Sequence, residues 1–361
     1  MPGLDQVDVA VVGAGVVGCA VASALARRGL EVLVLEREAR EGAGVSSRNS
    51  GVIHSGLYYP PASWKTETCL RGQELLYSWC ADHQVDHARL GKLVIARTGE
   101  EEAALQALAA NASAAGARDC VLVGAAVTRA REPELPDVRA ALWCPNTGIV
   151  DVHGLCASLR ADAEAHGAVF GLRARVEAAE VAEGAVTLQT TRGPVAAARV
   201  INAAGLHADE LAAMLGAESP RIYPCRGDYF RLRTRARYRH LIYPVRARGA
   251  AGLGVHLTLD LAGACRLGPD VTYVDARDDF GPAADKRAAF HRAACALLGP
   301  IGEEQLAYDG CGIRPKLRAP DEPAERDFAV FQSPGCVHLV GIESPGLTAA
   351  LALAERVSAL L

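Results

Sequence analysis

The chain has no excess of basic side chains, and this absence excludes one class of partner. Of its 361 residues, 38 are Lys or Arg and 42 are Asp or Glu, so the formal net charge is −4. Only four of the basic residues are Lys, and outside the stretch RLRTRARYRH at 231–240 the basic residues are scattered along the chain. A nucleic-acid-binding protein needs a concentrated positive face. We therefore expect no nucleic-acid partner.

Cysteine pairs and metal-ligand spacings are also missing. The eleven cysteines are widely separated, with no C-x-x-C pair and no Cys/His cluster. Neither a disulfide framework nor a zinc site is therefore predicted. We expect reduced thiols, no metal and a cytoplasmic location, and we leave peripheral association with the inner membrane open.

No segment has the features of a membrane span. The uncharged run Val9 to Ala26 has enough length to imitate one, but Asp5 and Asp8 precede it where a signal peptide would carry basic residues. Three glycines also interrupt the run. A strand, a tight turn and a helix explain it better, and we predict no transmembrane segment.

What the chain does contain is a dinucleotide fingerprint at its N-terminus. An apolar run, Val7 to Val12, leads into GAGVVG, an Ala-rich helical stretch and a second apolar run that ends on Glu36. The glycines permit a tight turn, close backbone approach to a pyrophosphate and helix–strand packing, while Glu36 is placed to bind a ribose diol. A glycine-rich turn without a ligand is the alternative, and the motif alone does not separate NAD from FAD. The predicted cofactor-binding residues of this unit are Gly13, Gly15, Val16, Val17, Gly18, Glu36 and Arg37.

The remainder of the chain favours FAD. After Glu36 the Rossmann pattern gives way to the loop RNSGVIHSGLYYPP, and small-residue turns recur in RVINAAGLHADEL and VHLVGIESPGLTAALALAERV. Three strand–turn–helix junctions at one sheet edge would form a crevice for an extended dinucleotide. An NAD dehydrogenase would continue with further helix–strand units.

These motifs resemble a known family. GAGVVG, NSGVIHSGLYY, GKLVIA, RVINAAG, PCRGDYF, GVHLT, RLGPD, GIRPKL and GIESPGLTAAL, in this order, resemble FAD-dependent oxidoreductases of the D-amino-acid oxidase superfamily. The resemblance is greatest to the L-2-hydroxyglutarate dehydrogenases and oxidases. The chain departs from that pattern in its modest length, its compact Tyr243 to Gly254 link and Asp270 in place of an expected Asn.

The resemblance implies FAD as cofactor and oxidation of a small carboxylate substrate. Flavin would take a hydride from the carbon that bears the hydroxyl, a base would take the hydroxyl proton, and a 2-oxo acid would result. The electron acceptor stays open between oxygen, a quinone and a carrier protein. Further cofactor-binding residues predicted in the later motifs are Arg48, Asn49, Ser50, Gly51, Val176, Ala204, Gly205, Gly312, Arg314, Ser344, Gly346, Leu347 and Thr348.

Two histidines and one arginine are the catalytic candidates. His54 is our first choice of base, and the alternative is that it only binds loop carbonyls. His256 shares a strand face with polar residues, which predicts either the cavity side or solvent. Arg314, stiffened by Pro315, matches a carboxylate with its planar fork.

Five further side chains are predicted to bind substrate, and each also has a structural interpretation. Lys316 could assist Arg314 or be solvated, and Arg226 is a weaker second cation for a diacid that could instead pair with Asp228. Three tyrosines would close the pocket or serve as packing; they are Tyr58, Tyr59 and Tyr243. The N-terminus of the last helix, with Ser344 beside it, would stabilise the negative charge of reduced flavin.

The predicted fold class is α/β with an α+β second domain: a Rossmann-like FAD-binding domain with a parallel sheet, and a mainly antiparallel substrate domain. The first comprises residues 1–82, 150–216 and 308–361, and the second 83–149 and 217–307. Strands are expected at Tyr229 to Leu232 and Gly254 to Leu259. The functional alternatives are an amino-acid or amine oxidase of the same fold, a non-catalytic nucleotide-binding module and an NAD dehydrogenase.

Overall fold

The computed structural model describes residues 6–117, 119–245 and 254–361. Its helices are α1 (Val16–Ala26), α2 (Trp64–Asp82), α3 (Gly99–Ala115), α4 (Ala125–Arg131), α5 (Val152–Ala165), α6 (Ala208–Met214), α7 (Arg287–Leu298) and α8 (Gly346–Ser358). In chain order the strands are β1 (Gln6–Val12), β2 (Val32–Glu36), β3 (Val52–Ile53), β4 (His87–Ala88), β5 (Lys92–Ala96), β6 (Val121–Gly124), β7 (Ala140–Cys144), β8 (Gly148–Val150), β9 (Val169–Leu172), β10 (Val176–Ala182), β11 (Ala185–Thr190), β12 (Gly193–Asn202), β13 (Tyr223–Leu232), β14 (Leu241–Pro244), β15 (Leu257–Leu259), β16 (Cys265–Leu267), β17 (Thr272–Tyr273), β18 (Leu306–Lys316), β19 (Ala329–Ser333) and β20 (Cys336–Val340).

The first sheet has a parallel core. Strands β9, β2, β1, β12 and β20 lie side by side in this order, and every neighbouring pair is parallel. The residues of β1 from Val9 onward are buried, as expected for a strand covered on both faces. A hairpin, β10–β11, adds antiparallel strands at one side, and β19 pairs with β20. The predicted Rossmann-like unit is confirmed.

The second sheet is almost entirely antiparallel. Its order is β17, β13, β16, β15, β14, β5, β7 and β6, and only β14 and β5 run parallel. The predicted mainly antiparallel substrate domain is thus confirmed as a fold class. β18 also belongs to this sheet because it pairs with β13 along its length. Our predicted boundary at residue 308 therefore divides a strand and does not coincide with a sheet boundary.

Helices α2 and α8 are in close backbone contact. At Gly72 of α2, an added Cβ would lie 2.2 Å from the carbonyl oxygen of Thr348 in α8. Any larger residue would force the helices apart. The close contact sets α8 beside the loop that connects β3 to α2.

The segment around His256 differs from the expectation of an alternating strand. Strand β15 begins at Leu257, three residues after the predicted start at Gly254, and its residues are buried without alternation. β15 lies between β14 and β16 inside the sheet, and all three of its residues are buried. Most of the predicted compact link from Tyr243 to Gly254 lies outside the described residues.

Candidate active site

A cavity of about 1280 Å³ runs between the two sheets. This volume exceeds the usual range for a single drug-sized ligand, which is about 300–1,000 Å³. The cavity begins at the carboxyl ends of β1, β2 and β12 and reaches the second sheet at β13, β14 and β18. Its length suits a dinucleotide with a small substrate beyond it.

The cavity brings together most of the residues predicted from the sequence. Those that line it are Gly13, Gly15, Val16, Val17, Glu36, Arg37, Arg48, Asn49, Ser50, His54, Tyr58, Tyr59, Val176, Ala204, Gly205, Tyr243, His256, Gly312, Arg314, Lys316, Ser344, Gly346 and Leu347. Four predicted residues are not part of this lining: Gly18, Gly51, Thr348 and Arg226. The first three contact lining residues: Gly18 packs against Gly13, Gly51 donates to Asn49, and Thr348 accepts from His54. Arg226 lies elsewhere.

The dinucleotide end is built from backbone packed against backbone. Gly13 has a φ of +106°, and a Cβ there would lie 2.4 Å from the carbonyl oxygen of Ala203. A Cβ on Gly18 would lie 1.8 Å from the oxygen of Gly13. Gly18 is therefore required for helix–strand packing and does not itself contact the cavity. The backbone N–H of Ala14 donates to Glu36 Oε2 at 2.7 Å, which fixes the carboxylate at the end of β2.

At the far end, α8 presents its N-terminus to the cavity. Gly346 and Leu347 line the cavity, and among the described residues the backbone N–H groups of Leu347 and Thr348 have no acceptor. Free N–H groups and the helix dipole together favour a negative group at this position. These residues fit FAD: Glu36 would hold the adenosine ribose, and the free N–H groups at the start of α8 would stabilise negative charge on the reduced ring system.

The backbone of His54 is held from two helices. Its N–H donates to Thr348 Oγ1 at 3.0 Å, and its carbonyl oxygen accepts from Gln73 Nε2 at 2.8 Å and from the Cys69 thiol at 3.6 Å. Thr348 thus positions His54 and is not a direct lining residue. The imidazole itself makes one polar contact among the described residues, a 3.3 Å approach of Nε2 to Ser344 Oγ.

Burial keeps the His54 ring neutral. It lowers the pKa of His54 to about 3, and the nearby Lys92 and His256 act in the same direction. The ring is therefore unprotonated across the physiological range, and one of its nitrogens can accept a hydrogen bond. The loop NSGVIHSGLYY presents a neutral imidazole to the cavity.

His256 is held more rigidly. Its Nδ1 lies 2.8 Å from the carbonyl oxygen of Gly254, so Nδ1 carries the proton and Nε2 is left as an acceptor. The ring stacks on Tyr243 with centroids 3.8 Å apart and planes 19° apart. Burial lowers the pKa of His256 to about 3; the Gly254 hydrogen bond opposes the shift, and Lys92 and Arg314 favour it. The structure thus selects the cavity side over solvent for this histidine.

Arg314 lines the cavity with part of its guanidinium already bound to protein. Nε donates to the carbonyl oxygen of Cys225, and Nη2 to those of Arg226 and Asp270 at 3.2 and 2.6 Å. Nη1 has no acceptor within the described ranges. On β13, Gly227 makes this geometry possible, because a Cβ there would lie 3.0 Å from Nη2. The orientation is therefore fixed while the outer nitrogen stays free for a carboxylate.

The prediction of Arg226 as a substrate cation is corrected. Side chains alternate along a strand, so Arg226 points away from the face on which Gly227 meets the cavity. Its guanidinium binds the Asp228 carboxylate at 2.7 Å and the carbonyl oxygen of Asp279 at 3.0 Å. It also contacts the carbonyl of Gly281. Arg226 is a structural residue, as the alternative interpretation held.

The three predicted tyrosines line the end of the cavity that also contains His54, His256 and Arg314, which we call the reaction end. Tyr58 and Tyr243 place their rings 4.8 and 4.9 Å from Lys92 Nζ, and burial raises the pKa of both hydroxyls. Burial also raises the pKa of Tyr59. All three therefore stay protonated and can donate a hydrogen bond.

Our sequence analysis missed three charged residues at this end: Lys65, Lys92 and Glu343. Lys65 and Glu343 line the cavity, whereas Lys92 lies behind two tyrosine rings, with no hydrogen-bond partner in the part of the chain that the structure describes. A signal was present, since lysine is scarce in this arginine-rich chain. Three of the four lysines, the third being Lys316, are gathered near the cavity.

The fold and the cavity together define an oxidoreductase that binds an extended dinucleotide. Residues 8 to 360 match the family described as "FAD dependent oxidoreductase". The chain belongs to this family, and FAD is its cofactor. No helix within the described residues has the length and apolar character that crossing a bilayer requires.

Named relatives and solved structures agree with this assignment. The chain is 34% identical to L-2-hydroxyglutarate dehydrogenase, mitochondrial, of Arabidopsis thaliana, over 98% of this chain and 83% of that protein. It is 28% identical to L-2-hydroxyglutarate dehydrogenase of Salmonella houtenae, over 97% and 92%. Dithionite-reduced L-alpha-glycerophosphate oxidase from Mycoplasma pneumoniae, with FAD bound, superposes with a TM-score of 0.89 at 23% identity, over 99% and 95%. Glycine oxidase from Geobacillus kaustophilus superposes with a TM-score of 0.84 at 22% identity, over 98% and 94%.

Proposed function

We propose that this protein oxidises L-2-hydroxyglutarate, or a closely similar L-2-hydroxy acid, to the 2-oxo acid. The observation that carries the proposal is that two neutral histidines, His54 and His256, line one cavity with Arg314, whose Nη1 has no acceptor among the described residues, beside the N-terminus of α8. Relatives named L-2-hydroxyglutarate dehydrogenase support the substrate. The family's cofactor supplies a two-electron acceptor when bound.

Arg314 holds the carboxylate next to the reacting carbon. Its Nη1 is free, and its other nitrogens are fixed by backbone carbonyl oxygens, so the fork is oriented before substrate arrives. Burial opposes its charge, but neighbouring groups such as Cys225 and Tyr229 outweigh burial and raise the pKa of Arg314. A preoriented charged fork costs little conformational entropy on binding.

His54 takes the hydroxyl proton. Its backbone is held at both the N–H and the carbonyl, while its ring makes only the 3.3 Å contact to Ser344. The ring therefore lies at a fixed position next to the segment that meets the cofactor. Loss of a positioned general base typically slows a reaction about 10²–10⁴-fold.

His256 is the second candidate for the base. The hydrogen bond to Gly254 leaves Nε2 able to accept a proton without a change of tautomer. We assign it the role of orienting the substrate hydroxyl. Substitution of each histidine separately distinguishes the two roles.

An amine-oxidising enzyme of the same fold is the main alternative. An amine can lose its proton to water before hydride transfer, whereas an alcohol benefits from a positioned base. Two buried neutral histidines therefore favour the alcohol.

The test is anaerobic mixing of the purified holoprotein with L- and D-2-hydroxy acids and with amino acids, following the flavin absorbance. We expect rapid bleaching by L-2-hydroxyglutarate and slow or no bleaching by its D-enantiomer and by amino acids. Bleaching by amino acids alone would assign the protein to the amine oxidases. A colourless protein that does not bind added FAD would refute the proposal entirely.

A further inference from the structure

Two ammonium groups line the reaction end of the cavity in addition to Arg314. Lys65, in the first turn of α2, and Lys316, at the end of β18, are only 4% and 5% exposed. Lysine is almost never buried this deeply without a paired charge. Their position at a cavity wall suggests that they bind an anion.

One carboxylate holds both lysines in place. Lys65 Nζ lies 3.0 Å from Glu343 Oε1, and Lys316 Nζ lies 3.2 Å from the same oxygen. Burial alone would raise the pKa of Glu343, but the two lysines and Arg314 outweigh burial and lower it to about 2. Glu343 is therefore ionised and brings the two ammonium groups together.

The two ammonium groups have donors to spare. Lys316 binds Glu325 at 2.9 Å in addition to Glu343. Each ammonium group has three N–H donors, and within the described part of the chain Lys65 donates to one carboxylate oxygen. An anion entering the cavity would therefore meet unused donors on the same wall as the guanidinium of Arg314.

The spacing of the cations suits a short diacid. Arg314 and Lys316 lie two residues apart on β18, so their side chains leave the same face of the strand about 7 Å apart. The terminal carbons of an extended five-carbon diacid are separated by four carbon–carbon bonds, or about 5 Å. One carboxylate at Arg314 would thus bring the other within reach of the two lysines.

We propose that Lys65 and Lys316, held together by Glu343, form the subsite for the second carboxylate of a dicarboxylic 2-hydroxy acid. This inference rests on the proposed function and adds the residues that determine specificity. The subsite takes the place of Arg226, which the sequence suggested as the second cation and which the structure removes from the cavity.

The test compares two substrates on the Lys65→Met variant. L-2-Hydroxyglutarate carries the second carboxylate, and L-2-hydroxyvalerate has a methyl group in its place on the same carbon skeleton. Loss of a hydrogen bond to a charged group corresponds to a decrease of about 10- to 100-fold. We expect kcat/KM for the diacid to fall by this factor while kcat/KM for the monoacid stays within about twofold. Lys316→Met should behave in the same way.

Two control variants sharpen the result. Arg71→Met removes a positive charge from the same helix, α2, but the Arg71 side chain is 52% exposed and pairs with Glu355, so both substrates should be unaffected. Arg314→Met should lower kcat/KM for both substrates, because it removes the contact to the carboxylate that they share.

Several outcomes would overturn the subsite. Equal losses on both substrates would assign the lysines to general structure, and an unchanged kcat/KM for both substrates in both variants would show that the lysines do not contact substrate. If Lys65→Met does not retain flavin, Lys316→Gln and Lys65→Arg carry the same comparison, with loss of the diacid preference expected only in the former. If no 2-hydroxy acid bleaches the wild-type flavin, the proposed function itself fails. This result comes from the wild-type protein alone, so it is distinguishable from failure of the subsite.

Discussion

The two ends of the cavity are built by different means. At the dinucleotide end, glycines bring main chain against main chain, and a single acid, Glu36, receives a backbone N–H. At the reaction end, buried side chains form the site. Burial and neighbouring charges shift their pKa values, as for His54 and Glu343. The first end depends on the absence of side chains and the second on their charges.

This difference predicts separate consequences of mutation. A change at the dinucleotide end should cost the bound cofactor and stability, because the backbone cannot move aside. A change at the reaction end should leave the flavin in place and cost turnover.

Gly13→Val should abolish FAD retention. The new Cβ would lie 2.4 Å from a backbone oxygen, and the residue would have to keep a φ of +106°, which is unfavourable for a β-branched side chain. We expect a purified protein with almost no absorbance at 450 nm relative to 280 nm. Gly99→Ala, where no atom lies within 4 Å of the added Cβ, is the control and should keep its colour. A yellow Gly13→Val protein would contradict the backbone-built site.

His54→Gln and His256→Gln should retain flavin but differ in activity. We expect kcat/KM for the 2-hydroxy acid to fall about 10²–10⁴-fold in His54→Gln, the loss typical of a missing base, and by a smaller factor in His256→Gln. Stopped-flow measurement of anaerobic flavin reduction isolates this step. A larger loss in His256→Gln would transfer the role of base to His256. Loss of flavin from either variant would break the proposed division between the two ends.

The smallest predicted effect is on stability in mild acid. Both histidines are neutral in the folded state, where their pKa is about 3, whereas an unfolded histidine titrates near its ordinary 6.5. The unfolded chain therefore binds more protons between these values, and stability falls as the pH drops below about 6.5. At pH 5 the contribution is about 2 kcal/mol for each histidine.

The corresponding measurement is the urea midpoint at pH 7.5 and pH 5. Wild type should lose more of its midpoint on acidification than His256→Gln does. Equal losses would show that His256 is not held neutral in the folded protein.

The same comparison explains what the sequence could and could not predict. Gly13, Gly15 and Glu36 are recognisable because a turn and a strand end fix their spacing within a short stretch. Arg314 and His54 were found through motifs of similar local character. Lys65 and Glu343 are 278 residues apart in the chain and meet only because α2 packs against the segment before α8. No local pattern indicates such a pair.

The error at Arg226 has a related cause. PCRGDYF places a cation in the correct strand, but the sequence does not reveal which face of β13 meets the cavity. The pairing of β13 with β18 settles this, because Gly227 lies opposite Gly312 on the cavity side. The phase of a strand follows from its tertiary neighbours when both of its faces are covered.

The scarcity of lysine has a practical consequence for chemical labelling. None of the four lysines is exposed: Lys65, Lys92 and Lys316 are buried, and the side chain of Lys286 is 20% exposed and bound to two aspartates. Amine-directed reagents should therefore react slowly with lysine in the folded protein and quickly once it unfolds. Lysine acylation becomes a direct readout of opening, and substrate in the cavity should slow it further at Lys65 and Lys316.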